Sequence, residues 1–547
     1  FHSLWCLGAQ RKGMVIKMKQ KMTKLFCLLA AFTLTISMTA CGNPGSESQT
    51  DPAADDGTVD LTIGLTSLGS ETLDYSIPSG YTNENISRLL YTDYIVRDEN
   101  GEYDPALGTA ESWSHNEDST EWTLTLKQGV LWHDGTEMTS EDIVFGVERM
   151  KRPELSAVVT VGPFYDALES CTAVDTYTAK FVFKQGFPLF EYYMHFVPAM
   201  PKAYIESAGE EAFNNAPVGN GPCKFVSHEL GSSVEFEAFE DYFLGKPSFD
   251  KLTLRIIPEA STLVAALKNG EIDMATGIPY TFVADLESDS NITLDSVDTG
   301  AQAVFVFADR LDPDSPLSDV RVREALNLAI DREGISIALY NGMAEPAYPF
   351  PDSEAALGMP DGIEPLAYDP ERAKELLAEA GYPDGFELTI HCTSSSGSVV
   401  GIAESAQAMA TNLESIGIKT ELILQDSGEY MSSYIDENFD GIAGFGTSPN
   451  AFDIGTSAYL WAADGDGLSW MVDEDTSDLW NKQVSEGDPE LREQYIEEAV
   501  QIMIDDVRFM PLVRVPTVYG YRSPIVSYEK TPTQTVFTDG IMSLQVE

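Results

Sequence analysis

Residues 368–390 read YDPERAKELLAEAGYPDGFELTI, a complete helix-turn-strand unit. Asp369 is placed to cap a helix, Pro370 fits its first position where no N–H is needed, and Gly381 closes it. A strand from Phe386 to Ile390 follows at once. Behind it come a helix near Ala403 to Ser415, a turn at Gly417 and a strand from Thr420 to Leu424. This alternation is how an α/β domain looks from sequence.

The same grammar extends outward. Val59, Leu61, Ile63 and Leu65 alternate along a strand, as do Trp122, Leu124 and Leu126, and Phe181 with Phe183. Thr139 and Asp142 form a capping box for a helix from Ser140 to Met150. Ser261 to Asn269 is a short helix stopped by Gly270, and Asp319 to Ile330 is an amphipathic helix carrying Arg321 and Arg323, which are expected to pair with nearby acids.

The 547 residues include 88 Asp and Glu against 33 Lys and Arg, a formal net charge of −55. A hydrophobic share of 43% is enough for large cores, so the acidity belongs to the surface and is no sign of disorder. It excludes non-specific nucleic-acid binding, which needs a concentrated basic face.

The N-terminal residues are a different object. Residues 1–46 hold no acid but six bases, and without them the rest carries 27 bases against 88 acids. Residues 1–13 are expected to be upstream readthrough, with translation starting at Met14, Met18 or Met22. An apolar run from Leu25 to Met38 has the length of a signal-peptide core and is too short to span a bilayer. It ends in Met38-Thr39-Ala40-Cys41-Gly42, which resembles a bacterial lipobox with Met38 where Leu is usual. Residues 1–41 are therefore expected to be leader, Cys41 the lipidated residue, and 42–57, which lack any large apolar side chain, a flexible tether. An ordinary cleaved signal with an incidental Cys is the alternative.

Motifs for chemistry are missing. There is no Walker loop, no G-x-G-x-x-G, no G-x-S-x-G and no H-E-x-x-H, and the histidines at 2, 115, 133, 195, 228 and 391 have no ligand spacing. Cys171, Cys223 and Cys392 remain after the leader, an odd set expected to be buried hydrophobes with at most one disulfide. No catalytic residue, metal or cofactor is expected.

Four ordered stretches carry a family resemblance. They are YTDYIVRDENGEYDPALGTAESW at 91–113 with GVLWHDG at 129–135 and TSEDIVFGVERM at 139–150; PVGNGPCKF at 217–225 with LTLRIIPEASTLVAALKNGEIDMA at 252–275; DVRVREALNLAIDREGI at 319–335; and the unit at 368–390 with NLESIGIKTELI at 412–423. The chain resembles the extracytoplasmic solute-binding proteins of peptide/nickel-type ABC importers.

The resemblance implies a two-lobed α/β periplasmic-binding-protein fold of type II, with a subdomain inserted in the first lobe. Lobe I would comprise 58–91, 217–299 and 510–547, the subdomain 92–216, and lobe II 300–509. It implies no enzyme but a monomeric, lipid-anchored receptor on the outer face of the membrane or in the periplasm. Such a receptor would pass a solute, an oligopeptide first of all, to permease subunits, touching the membrane only through its lipid. A non-peptide ligand such as a metal chelate or sugar is the alternative, and a surface-anchored hydrolase is the rival from another class.

Peptide-binding relatives hold the peptide's amine with an Asp that follows a Gly-Trp. Here the corresponding run is FDGIAGFGTSPNAFDIGTSAYLW, 439–461, with Phe445 for the Trp and Ser448 or Pro449 at the Asp position; Asp453 is the nearest acid. The Arg that dipeptide binders place after the strand equivalent to 386–390 is also missing, since 392–398 reads CTSSSGS. Both departures remove charge-assisted bonds to a zwitterion. The expected ligand contacts are Thr66, Ser67 and Leu68 from the first strand's end, with Phe445, Gly446, Thr447 and Ser448 opposite, and then Asp453, Tyr430 and Trp461. Cys41→Ala is expected to leave an unlipidated precursor in intact-mass spectrometry of the membrane fraction, and normal lipidation of that variant would refute the lipobox.

Overall fold

The structure is a computed structural model of the chain and describes residues 58–68, 71–74, 84–98, 101–152, 162–298, 300–352, 356–394, 399–435, 438–447, 453–458, 473–529 and 537–547. The leader, Cys41 and the tether expected at 42–57 lie outside these residues. Gly57–Glu547 is one compact unit.

Two large sheets organise it. The first runs Thr293–Val297, Thr517–Tyr521, Met274–Thr276, Asp60–Leu65, Lys251–Ile256, Ser233–Ala238 and Cys223–Glu229. The second runs Glu345–Pro346, Phe509–Arg514, Gln302–Phe307, Ile442–Thr447, Glu387–Thr393 and Lys419–Gln425. A separate four-stranded antiparallel sheet, Ala110–His115, Glu121–Leu126, Thr178–Phe183 and Leu168–Ala173, belongs to a subdomain with its own apolar core. The last crossing between the large sheets comes after Arg514, so strand Phe509–Arg514 lies in the second sheet and not in the first lobe that was expected to begin at 510.

Local sequence signals account for the elements between. The helix expected from Asp369-Pro370 is Pro370–Glu379, and the Asp369 carboxylate accepts the Arg372 N–H at 3.0 Å. Helix Ile402–Ser415 carries the chain from strand Glu387–Thr393 to its parallel neighbour Lys419–Gln425, a pairing that requires such a crossover. Strand Asp60–Leu65 is parallel to both neighbours and buries both faces: a Cβ on Gly64 would meet Ile272 at 2.5 Å. Arg321 pairs with Asp319 and Arg323 with Asp506, each at 2.5 Å, as the acids around them suggest. Cys171, Cys223 and Cys392 are free and buried.

Strand Phe509–Arg514 is braced by side chains as well as by its neighbours. Asn327 donates to the Phe509 carbonyl at 2.9 Å and Arg332 to that of Pro511 at 2.8 Å. No carboxylate faces Arg332 in its bonds, and burial lowers its pKa to about 9. The guanidinium thus stays charged at neutral pH while satisfied by carbonyls.

His133 joins the subdomain to the first lobe. Its Nε2–H donates to the Gly221 carbonyl at 3.0 Å and its Nδ1 accepts the Gly219 N–H at 3.1 Å, which only the neutral ring can do. Gly219 is needed there, since a Cβ would lie 1.8 Å from the Leu90 oxygen. Burial pulls His133 from 6.5 to about 4, against the opposing pull of the Gly221 carbonyl. The unfolded chain therefore binds the extra proton between those two values. Stability from this ring is full above pH 6.5 and is lost as pH falls toward 4, by about 3 kcal/mol. His133→Gln is expected to lower the urea midpoint at pH 7, with the gap to wild type narrowing as pH falls; a constant gap would contradict the buried neutral ring.

Candidate functional site

The two large sheets share one backbone ribbon. Strands Thr293–Val297 and Thr517–Tyr521 pair antiparallel in the first sheet, and their continuations Gln302–Phe307 and Phe509–Arg514 pair antiparallel in the second. At the crossing the Val515 N–H donates to the Ala301 carbonyl at 2.8 Å. Arg514 spans the same point, donating to Asp298 at 3.0 Å and to Glu345 at 3.1 Å. Tyr280 donates to the Pro516 carbonyl and packs edge-on against Tyr340, with centroids 4.9 Å apart. A cleft between the sheets would therefore open and close about two short crossings.

The first wall expected from the sequence is the end of strand Asp60–Leu65. Thr66 is half-buried and Ser67 exposed, while Leu68 is 1% exposed and belongs to the first lobe's core. The Leu65 carbonyl is already taken by the Ile257 N–H at 2.8 Å. Of the three, Thr66 and Ser67 are the two that are not buried.

Strand Ile442–Thr447 carries the second expected wall. Phe445, Gly446 and Thr447 are each half-buried, and the Phe445 ring packs edge-on against Tyr434 at 6.0 Å. Gly444 is demanded by packing, because a Cβ there would sit 2.1 Å from the Phe305 ring. Thr447 lies opposite Gln302 across the ladder. Gln302 is fully buried, donates to the Asp352 carbonyl at 3.5 Å and leaves its Oε1 without a partner among the described residues. Sequence reasoning did not single it out; only its place as first residue after the crossing marks it, and that needs the topology.

Two expected contacts turn inward. Tyr430 is 4% exposed, its ring tilted against Phe439 at 4.9 Å, and burial drives its pKa far up. Asp453 is 9% exposed and takes both Arg492 terminal nitrogens at 3.0 and 3.1 Å. Both its oxygens are committed to that fork, so it is not a free anchor for an amine. The subdomain approaches this pair: burial pushes Tyr103 up to about 12, Arg97 opposes it, and the charges of Glu191 and Asp453 add to the rise. Ser448 and Trp461 lie outside the described residues.

No hydrogen bond joins 66–68 to 445–447 among the described residues. Two cavities among the described residues, of about 370 and 1010 Å³, are lined elsewhere, the smaller by Glu71, Asn214, Ser227 and His228 among others, and neither touches an expected contact. Among the described residues no three His, Cys, Asp or Glu come together as metal ligands, and no helix is long and apolar enough to cross a membrane. His391, beside Cys392, pairs instead with Asp440 at 2.8 Å, and His228 with Glu71 at 2.7 Å.

Residues 104–468 match the family described as bacterial extracellular solute-binding proteins, family 5 middle. The oligopeptide-binding protein AppA of Bacillus subtilis is 27% identical over 520 residues, covering 89% of this chain and 91% of that protein. The heme-binding protein A of Haemophilus influenzae is 30% identical over 328 residues, 56% of this chain and 59% of that protein's length. In three dimensions the fold is that of the ABC transporter-associated periplasmic binding protein DppA of Helicobacter pylori, solved with the peptide STSA. The TM-score is 0.75 at 24% identity, over 89% of this chain and 98% of that one.

If Asp453 serves the fold alone, Asp453→Asn will lower the melting temperature, as one-sided loss of a buried pair costs about 3–5 kcal/mol. Arg492→Met should do the same. Unchanged stability with lost ligand retention in Asp453→Asn would instead return Asp453 to the binding site.

Proposed function

The chain belongs to the bacterial extracellular solute-binding proteins of family 5, and on that premise we propose that it captures an oligopeptide between its two lobes and delivers it to an ABC permease. It is a receptor and not an enzyme. The observation that carries the peptide reading is the composition of the two walls. Thr66 and Ser67 follow a strand of the first sheet and Phe445, Gly446 and Thr447 end a strand of the second, so both expected walls are strand ends with no charged side chain among these five residues.

Such walls suit a ligand gripped through its backbone, with side pockets that tolerate many side chains. They do not suit a free dipeptide, whose two charged ends would find no partner among these residues. The near full-length similarity to an oligopeptide-binding protein supports the same reading. Lobe I, subdomain and lobe II are taken as the parts built on the first sheet, the four-stranded sheet and the second sheet. Anchoring through a lipid on Cys41 places the receptor outside the cytoplasm, at the mouth of its permease.

One observation favours a second reading. Asp453, the nearest acid in sequence to the expected amine position, is occupied by Arg492, so a non-peptide solute would lose nothing by lacking an amine. The similarity to a heme-binding protein keeps that option specific.

The test is native mass spectrometry of residues 42–547, purified without denaturation, followed by release and identification of whatever is bound. The expected result is one ligand per chain, as a ladder of peptides of similar length that are returned uncleaved. A single non-peptide mass would transfer the receptor role to the second reading, and multiple-turnover consumption of the released solute would contradict both.

A further inference from the structure

The lobes meet a second time, away from the ribbon. Val484, at the end of helix Glu474–Ser485 in the second lobe, is 7% exposed and is part of the subdomain's apolar core. A Cβ built on Gly186 of the subdomain would lie 3.2 Å from the Ser485 carbonyl oxygen, so the two backbones touch. No covalent path joins the parts here, since the chain passes between the large sheets only at the ribbon.

Around this contact is a crevice of about 1010 Å³ whose lining includes Glu117 and Asp118 from the subdomain and Glu486, Asp488 and Glu490 from the second lobe. No base is among the lining residues. Two of these acids are fixed in place by local hydrogen bonds. Thr120 donates to Asp118 and lowers its pKa, and Asp488 accepts the Glu490 and Leu491 N–H groups at 3.0 and 3.2 Å.

We propose that Val484 and the turn behind it form an apolar latch that closes the subdomain onto the second lobe, and that the facing carboxylates repel each other and weaken it. Any opening about the ribbon that separates the second lobe from the subdomain has to expose Val484. Burial of one valine side chain is worth about a tenfold factor in an equilibrium, enough to shift two conformers separated by a small gap. The latch therefore gives the empty receptor a closed population before any ligand arrives. Salt strengthens it, because four of the five opposing carboxylates are exposed and screened within about 10 Å at 0.1 M. This goes beyond the receptor reading and needs no ligand to test.

The test is hydrogen–deuterium exchange of the ligand-stripped full chain, read at the subdomain amides 116–120 and 184–187, with strand Leu168–Ala173 as the internal control. Raising NaCl from about 50 to about 500 mM should slow exchange at the two interface segments relative to the control. Val484→Asp should speed it about tenfold, and Glu486→Gln with Glu490→Gln should reproduce the high-salt protection at low salt. Val484→Ala gives a smaller change of the same sign and serves if the Asp variant fails to fold. Interface exchange that neither Val484 variant alters would overturn the latch, as would protection that salt reduces.

Discussion

Everything in this molecule hangs on one antiparallel ribbon that passes through both large sheets. Because the pair 293–297 with 517–521 continues as 302–307 with 509–514, the two lobes are not beads on a string. They are two sheets grown on the same two strands. The bond between Val515 and Ala301 and the Arg514 bridge from Asp298 to Glu345 hold the strands in register at the crossing. That register fixes how the two sheets are joined. A fold that binds a solute by closing must bend there and stay rigid elsewhere.

The rigidity elsewhere has an identifiable source. A chain this acidic repels itself, yet several of its interior cations are paired with acids or carbonyls. Arg149 is 1% exposed at its side chain and bridges Asp74 and Glu210 at 2.6 and 2.5 Å. Arg508, fully buried, meets Asp475, Asp506 and Thr476. Arg323, Asn327 and Arg332 cap the carbonyls that lead into strand Phe509–Arg514. These bonds hold the ribbon's second strand against its helices, so bending is confined to the crossing and to whatever the subdomain contact permits.

Local structure was legible because its causes are local. Caps such as Asp369 with Pro370, and alternation such as Leu61, Ile63 and Leu65, act over a few residues and can be read where they stand. The boundary set at 510 failed because Phe509–Arg514 pairs with Gln302–Phe307, some two hundred positions away, and no pattern within the strand declares its sheet. Asp453 looked like a free acid for the same reason: Arg492 lies 39 positions on, and only the packing of helix Pro489–Asp505 brings it near. Leu68 and Tyr430 are apolar enough to line a pocket or fill a core, and burial chose the core. Gln302 had no signal at all before the crossing was known.

The central claim is that the two lobes close about the ribbon on a solute that leaves chemically unchanged. Small-angle X-ray scattering on one preparation tests it most directly: as purified, after unfolding and refolding to strip the bound solute, and after the released fraction is added back. The account predicts a larger radius of gyration once stripped, a return toward the original value on add-back, and a fraction whose masses are the same before and after. A radius of gyration indifferent to the fraction, or masses altered by contact with the protein, would contradict it.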